Sequence, residues 1–306
     1  DNTHGQLGLG DETEVATPKK LAIANVRQIS VGEDHTLFLQ MNGTVYATGN
    51  YEHNKLGIYN LSGDLRIPTK VPSFLGASVV AVSAGTNHGL ALYYTTNAAS
   101  FGDNSYGQLG NGNLLETTAI QTVEASGIFD ISAGYNHSMV TNQTGTLYVF
   151  GDNSLGQLGL GGMNDGTIQY ISKPTANEMF LSNVYAMSIS AGNKFSTFAD
   201  RNGVVYGFGD YTQGNGTEFG LDTIETRSDT PVMIGESRLV AGDNEVTVVS
   251  DGDEVKLNVP DVSKFNLLLD YNDSVDITAV SVNGDIADAR IDENGDVYVS
   301  GKSVTG

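Results

Sequence analysis

Ile29-Ser-Val-Gly-Glu-Asp-His35 returns as Val82-Ser-Ala-Gly-Thr-Asn-His88, as Ile131-Ser-Ala-Gly-Tyr-Asn-His137 and as Ile189-Ser-Ala-Gly-Asn-Lys-Phe195. A fainter fifth copy is Leu239-Val-Ala-Gly-Asp-Asn244. From Gly32 through Gly85, Gly134, Gly192 and Gly242 the steps are 53, 49, 58 and 50 residues. Recurrence at such a period means one supersecondary unit used repeatedly, and it outranks any local motif. A second phrase is interleaved with the first. It reads Asp1-Asn-Thr-His-Gly-Gln-Leu-Gly8, Gly49-Asn-Tyr-Glu-His-Asn-Lys-Leu-Gly57, Gly102-Asp-Asn-Ser-Tyr-Gly-Gln-Leu-Gly110 and Gly151-Asp-Asn-Ser-Leu-Gly-Gln-Leu-Gly159, with a worn form at Gly209-Asp-Tyr-Thr-Gln-Gly214.

Within a unit the residues read as strands. A short apolar run follows each histidine, as in Thr36-Leu-Phe-Leu39. A turn comes next (Asn42-Gly43, Asn202-Gly203, Gln143-Thr-Gly145), then a second run such as Val45-Tyr-Ala47 or Leu147-Tyr-Val-Phe150. That is hairpin patterning around turn glycines. The run before each glycine supplies another strand. The proline-bearing stretches at Thr17-Pro18, Ile67-Pro68, Lys173-Pro174 and Thr230-Pro231 suit an edge strand, where a missing N–H costs no ladder bond. Four strands every ~50 residues is the arithmetic of a β-propeller blade.

These phrases resemble the repeats of the regulator of chromosome condensation family, which carry an Ala-Gly-x-x-His anchor and a Gly-x-Asn-x-x-Gly-Gln-Leu-Gly turn. The resemblance covers residues 1–244 and implies an all-β, seven-bladed propeller. Five anchors are present, so the expectation is an arc with two open edges inside a longer protein. Departures fall at Ala98-Ala-Ser, at Phe195 in the histidine position and at the eroded turn 209–216.

Residues 245–306 differ in composition. Residues 241–306, which include that segment, hold 6 of the 38 glycines and 14 acids against 4 bases, whereas residues 1–240 hold 32 glycines and 22 acids against 11 bases. Alternating segments such as Glu254-Val-Lys-Leu-Asn-Val259 and Val297-Tyr-Val-Ser-Gly-Lys302 look like a bacterial immunoglobulin-like domain, cut short of the usual ~100 residues. In the alternative, Glu245–Val259 finishes the fifth blade.

The chain carries 15 bases and 36 acids, a formal charge of −21, and no cysteine or tryptophan. Nucleic acid and anionic membrane need a basic footprint, which this balance lacks. Thiolate metal sites, disulfides and cysteine nucleophiles are ruled out by composition. No apolar run approaches the eighteen or so residues of a membrane-spanning helix. Gly301-Lys302-Ser303 lacks the upstream glycine of a phosphate loop, and Asp292-Glu-Asn-Gly-Asp296 lacks the closing glutamate of a calcium loop. No nucleophile elbow occurs. The reading is non-enzymatic, with no metal and no cofactor.

His35, His88 and His137 recur once per unit, one per blade around a ring. Such residues serve what every unit needs, so with Gly32, Gly85, Gly134 and Gly192 they are assigned as structural. His4 and His53, in the other phrase, are expected to face solvent. Strand alternation brings the Ala-Gly-x-x-His turn and the Gly-x-Asn turn out on one face. Tyr51, Tyr106, Tyr135 and Tyr211 stand there, with Leu155 in the position of Tyr106. Rigid amphipathic rings on scaffolded loops suit protein recognition. The expected function is a protein-binding propeller of a bacterial secreted or cell-surface, adhesin-like protein, its partner unidentified. The alternatives are a secreted inhibitor of an enzyme such as a β-lactamase, and guanine-nucleotide exchange on a small GTPase.

Overall fold

The computed structural model describes residues 1–74, 78–161, 169–177, 184–210 and 227–234, and beyond them the strand segments named below. The chain forms two compact units, one of residues 1–220 with 224–235 and one of residues 221–223 with 236–306.

The first unit contains four sheets of the same plan. Blade one comprises β1 (Val26–Val31), β2 (His35–Gln40), β3 (Val45–Gly49) and β4 (Leu65–Lys70). Blade two comprises β5 (Val79–Ala84), β6 (His88–Tyr93), β7 (Ala98–Gly102) and β8 (Thr117–Thr122). Blade three comprises β9 (Ile128–Ala133), β10 (His137–Asn142), β11 (Leu147–Asp152) and β12 (Tyr170–Ala176). Blade four comprises β13 (Ala186–Ala191), β14 (Phe195–Asp200), β15 (Val205–Asp210) and β16 (Arg227–Ile234). In each, sequential strands are antiparallel neighbours and the fourth strand is the edge. This is the up-and-down blade expected from the hairpin signals. Prolines 68, 174 and 231 all lie in edge strands, and the pairing with the third strand breaks register there, as between Ala47↔Thr69 and Gly49↔Leu65.

Apolar side chains fill the gaps between successive blades. Leu37, Val45 and Ala47 of blade one pack with Val79, Val82 and Phe101 of blade two. Leu90 and Leu92 pack with Ile131, Val140 and Phe150, and Met139 and Val149 pack with Ile189, Phe198 and Phe208. In blades one to three the second and third strands are buried on both faces, which is why they read as apolar runs and not as alternating patterns.

The inner strands interlock through serine. Ser30 Oγ accepts from the N–H of Ala84, Ser83 from Ala133 and Ser132 from Ala191, at 2.8, 2.9 and 2.8 Å. The Ser of the Ile-Ser-Ala-Gly phrase thus ties each innermost strand to the next.

In the second unit the described strands are β17 (Thr247–Asp251), β18 (Glu254–Asn258), β19 (Leu267–Leu269), β20 (Ser281–Val282), β21 (Asp285–Ile286), β22 (Asp288–Ile291) and β23 (Val297–Ser300). They pair as β17-β18, β19-β23-β22 and β20-β21, all antiparallel. The segments between these strands, on which the immunoglobulin-like expectation for residues 245–306 depends, lie outside the described residues.

Candidate functional site

The two repeated phrases meet at one end of every blade. The first residue of the second strand faces the glycine that closes the third: His35↔Gly49, His88↔Gly102, His137↔Gly151 and Phe195↔Gly209. That glycine has φ between +105° and +108° in all four blades, and a Cβ on Gly49 would lie 2.3 Å from the Asp34 carbonyl oxygen. Only glycine fits there. The chain then turns over the first phrase, with the N–H groups of Asn50, Asp103, Asp152 and Asp210 bonding the carbonyls of Asp34, Asn87, Asn136 and Lys194.

The anchor glycines are spaced by contact. A Cβ on Gly32 would meet the carbonyl oxygen of Gly85 at 2.3 Å, on Gly85 that of Gly134 at 2.4 Å, and on Gly134 that of Gly192 at 2.5 Å. The histidine ring of the same turn fills the remaining space. The N–H of Tyr135 reaches the Gly192 carbonyl at 3.0 Å, joining blades three and four at the turn itself.

His35, His88 and His137 are fully buried. His88 Nε2 lies 2.8 Å from Ser138 Oγ, and His137 Nε2 lies 2.8 Å from Ser196 Oγ. Each serine also donates to a carbonyl, Ser138 to Gln108 at 2.9 Å and Ser196 to Gln157 at 2.7 Å. A carbonyl only accepts, so the serine proton goes to it and the serine oxygen accepts from the ring. That fixes Nε2–H on both histidines. Each serine therefore holds its own blade to the histidine and the Gly-Gln-Leu-Gly turn of the preceding one. Burial lowers the pKa of His88 to about 4, opposed by Asp103, and that of His137 to about 3, aided by His88. The three imidazoles do not converge, and among the described residues no His/Cys/Asp/Glu group is placed to hold a metal ion.

Blade one departs from this scheme. Gly89 stands where Ser138 and Ser196 stand, and both ring nitrogens of His35 lack a hydrogen-bond partner. Burial lowers the His35 pKa as well, opposed by Asp34. Nearby, Lys55 takes the position of Gln108 and Gln157. The glutamines donate to Asp103 and Asp152 of their own loops, at 3.0 and 2.9 Å. Buried Lys55 donates instead to Asp34 in the first phrase, at 3.0 and 3.1 Å, and Asn50 donates to the same carboxylate at 2.8 Å. Burial opposes ionisation of Asp34, but the neighbouring His35 ring, whose Nδ1 lies 3.8 Å from Oδ1 without a hydrogen bond, outweighs it together with Lys55 and Asn50 and holds the carboxyl well below the usual range. The carboxylate stands at the other strand end, and a lysine replaces the glutamine that pairs with it.

The loops at this end are cross-bonded inside and present aromatic rings among acids outside. Asn2 and Asn104 are buried and bond carbonyls across their own loops, while Gln108 Oε1 accepts from the Tyr106 N–H. Tyr51, Tyr106 and Tyr135 expose 38 to 39% of their surface, and Leu155 is half-buried. Tyr211 lies outside the described residues. The structure adds Tyr59, Leu115 and Tyr170, which are more exposed still. Sequence reasoning passed over these three because they belong to neither phrase. Tyr51 does not share the position of Tyr106: it occupies that of Asn104, and His53 occupies that of Tyr106. His4 and His53 are partly exposed as expected, and each pairs with a carboxylate just before the next edge strand, Asp64 at 2.8 Å and Glu116 at 3.2 Å.

A profile of the regulator of chromosome condensation (RCC1) repeat matches residues 1–39, 42–92, 100–141 and 144–199, and a second RCC1 profile matches residues 130–157. The chain belongs to the RCC1 repeat family. Among curated RCC1-type relatives, the Arabidopsis thaliana ultraviolet-B receptor UVR8 is 29% identical over 127 residues, covering 40% of this chain and 29% of the receptor. The human X-linked retinitis pigmentosa GTPase regulator is 35% identical over 129 residues, 40% of this chain and 12% of that protein. The chain thus spans under a third of these relatives. Yeast RCC1 (Prp20) bound to Kap60 superposes with a TM-score of 0.58 at 27% identity, over 76% of this chain and 52% of that one. Human WBSCR16 gives 0.60 at 21%, over 81% and 66%, a likeness of fold.

Proposed function

We propose that this RCC1-type propeller is a protein-recognition scaffold that engages a basic partner through its acidic, tyrosine-bearing loop face and performs no chemistry of its own. The observation that carries this is the pairing of exposed rings with one sign of charge on stiff loops. At this end, segments 1–14, 32–34, 50–64, 85–87, 103–116, 134–136, 152–161 and 192–194 hold eleven acids and two lysines, one of them the buried Lys55. At the other end, segments 20–25, 40–44, 70–74, 93–97, 123–127, 142–146 and 200–204 hold Lys20, Lys70 and Arg201 against Glu124 and Asp200. Charge of one sign on one face steers a complementary partner and orients its approach.

The structure of Saccharomyces cerevisiae Prp20p, 26% identical over 76% of this chain, was reported with its binding to Gsp1p and histones. Histones have the chemistry this face selects. Nucleotide release from a small GTPase is the second reading, favoured by the same likeness. Action outside a bacterial cell, as an adhesin or a secreted inhibitor, rests on an immunoglobulin-like reading of residues 245–306. The strand register in that segment supports another reading.

The test is a binding series with a lysine-rich protein probe such as histone H3–H4. Tyr106→Ala and Tyr135→Ala should each weaken binding about thirtyfold, as hot spots of ~2 kcal/mol do. Asn202→Ala, at the other end, should change it less than twofold, and the association rate should fall steeply with salt. Equal, small effects at all three positions would refute the tyrosine face. A loss confined to Asn202 would move the site to the opposite end.

A further inference from the structure

Gly284 repeats the frame of the anchor glycines. Ten and eleven residues after Gly32, Gly134 and Gly192 come the turns Asn42-Gly43, Thr144-Gly145 and Asn202-Gly203, and the same count from Gly284 gives Asn294-Gly295. Fourteen residues on stand Tyr46, Tyr148 and Tyr206, and from Gly284 Tyr298. Seventeen on stand Gly49, Gly102, Gly151 and Gly209, and from Gly284 Gly301. The backbone keeps the same frame. In blades one to four the fourth residue after the anchor pairs with the sixteenth: Thr36↔Thr48, Gly89↔Phe101, Ser138↔Phe150 and Ser196↔Phe208. Counted from Gly284, that pair is Asp288↔Ser300, and β22 and β23 are joined in that register.

Gly242 gives a looser copy of the frame. Val255 falls thirteen residues on, as Val45, Leu147, Val205 and Val297 do from their anchors. The hairpin β17-β18 occupies the places of the second and third strands, closed one residue out of register at Thr247↔Asn258. The residue types also follow one another. Where a copy offers serine after its histidine position, as at Ser138 and Ser196, the preceding copy carries histidine. The Gly242 copy offers Val246, and the preceding copy carries Phe195. The hairpin β20-β21 before β22 is tighter than its counterparts, joining Ser281–Val282 to Asp285–Ile286.

We infer that residues 236–306 are the fifth and sixth copies of the blade repeat and not an immunoglobulin-like spacer. This segment then belongs to the recognition scaffold itself and is no stalk presenting it. The inference rests on repeat register alone and stands whether or not the tyrosine face is the binding surface.

Repeats in one stack are coupled to their neighbours, whereas a spacer domain opens independently. The test is hydrogen exchange on the full chain, wild type against Val246→Asp. Residues 245–258 should lose protection in either case. Under the repeat reading, protection of β14 and β15 should fall at least tenfold as well, while β2 and β3 hold. Unchanged exchange in β14 and β15, with protection lost in 245–258, would overturn it. Val246→Ala provides the same comparison with a milder change if the aspartate variant does not accumulate folded.

Discussion

Replacing Ser138 with alanine should be among the most damaging single-atom deletions in the first unit. The hydroxyl is fully buried, 2.8 Å from His88 Nε2 and 2.9 Å from the Gln108 carbonyl oxygen. Its loss strands an N–H and a carbonyl that belong to the preceding blade, where no water reaches them. Leaving one buried polar group unsatisfied costs about 1–3 kcal/mol, so the two together cost about 3 kcal/mol. For a cooperative unit of about 200 residues that lowers Tm by roughly 6–12 °C. Thermal and urea unfolding followed by circular dichroism would read it, with Ser105→Ala as control. Ser105 Oγ also donates a hydrogen bond, but to Asp103 only two residues away and exposed to solvent, so its loss should stay within about 0.5 kcal/mol. Adding His88→Phe to Ser138→Ala should cost much less than the sum of the single changes, because the donor is then gone with its acceptor. A Ser138→Ala variant as stable as Ser105→Ala, or strictly additive costs in the double variant, would refute the relay.

Three further outcomes follow from the same geometry. His88 and His137 are neutral in the folded state with pKa values of about 4 and about 3, below the ~6.5 of an unfolded histidine, so the unfolded chain binds protons first. Stability should be full above pH 6.5 and decline from there toward pH 4. His88→Phe should flatten that slope, and a urea midpoint unchanged between pH 7 and 5 would contradict the assignment. Lys55→Met should destabilise by about 3 kcal/mol, since it leaves the Asp34 carboxylate half-buried without its cation, and adding Asp34→Asn should restore most of the loss. A double variant no better than the single in chemical denaturation would count against the pair. Gly151→Ala should cost about 3 kcal/mol or more, because its φ of +106° is joined by a Cβ position 2.5 Å from the Asn136 carbonyl. Gly203→Ala, at φ +82° with open space around it, should cost about 1 kcal/mol, and equal melting temperatures for the two would refute the steric argument.

The sequence by itself determined the blade. A strand, a turn and the next strand are set by neighbours within about twenty residues, so their signals recur at every copy and reinforce one another. The edge-strand prolines 68, 174 and 231 were legible in this way, whereas Pro18 stands in no strand; the histidines, read as structural from their recurrence, stand fully buried. A repeated residue answers a need that every unit shares. The partners of those residues were decided by tertiary structure, because they lie one blade away. His88 and Ser138 are 50 residues apart, and the serines of the first phrase, present in all four strong copies, show their use only when two inner strands lie side by side. The same holds for exceptions. Nothing in Asn54-Lys55 announces that the partner carboxylate stands at Asp34, since the pair forms across 21 residues and through burial. Exposure too is a property of the assembled face. Tyr51 and Tyr106 look alike as loop tyrosines, yet one stands in the place of a buried asparagine and the other in the place of a histidine that pairs with the next blade. Which rings reach solvent depends on how neighbouring loops lean against the following edge strand, a contact that periodicity cannot encode.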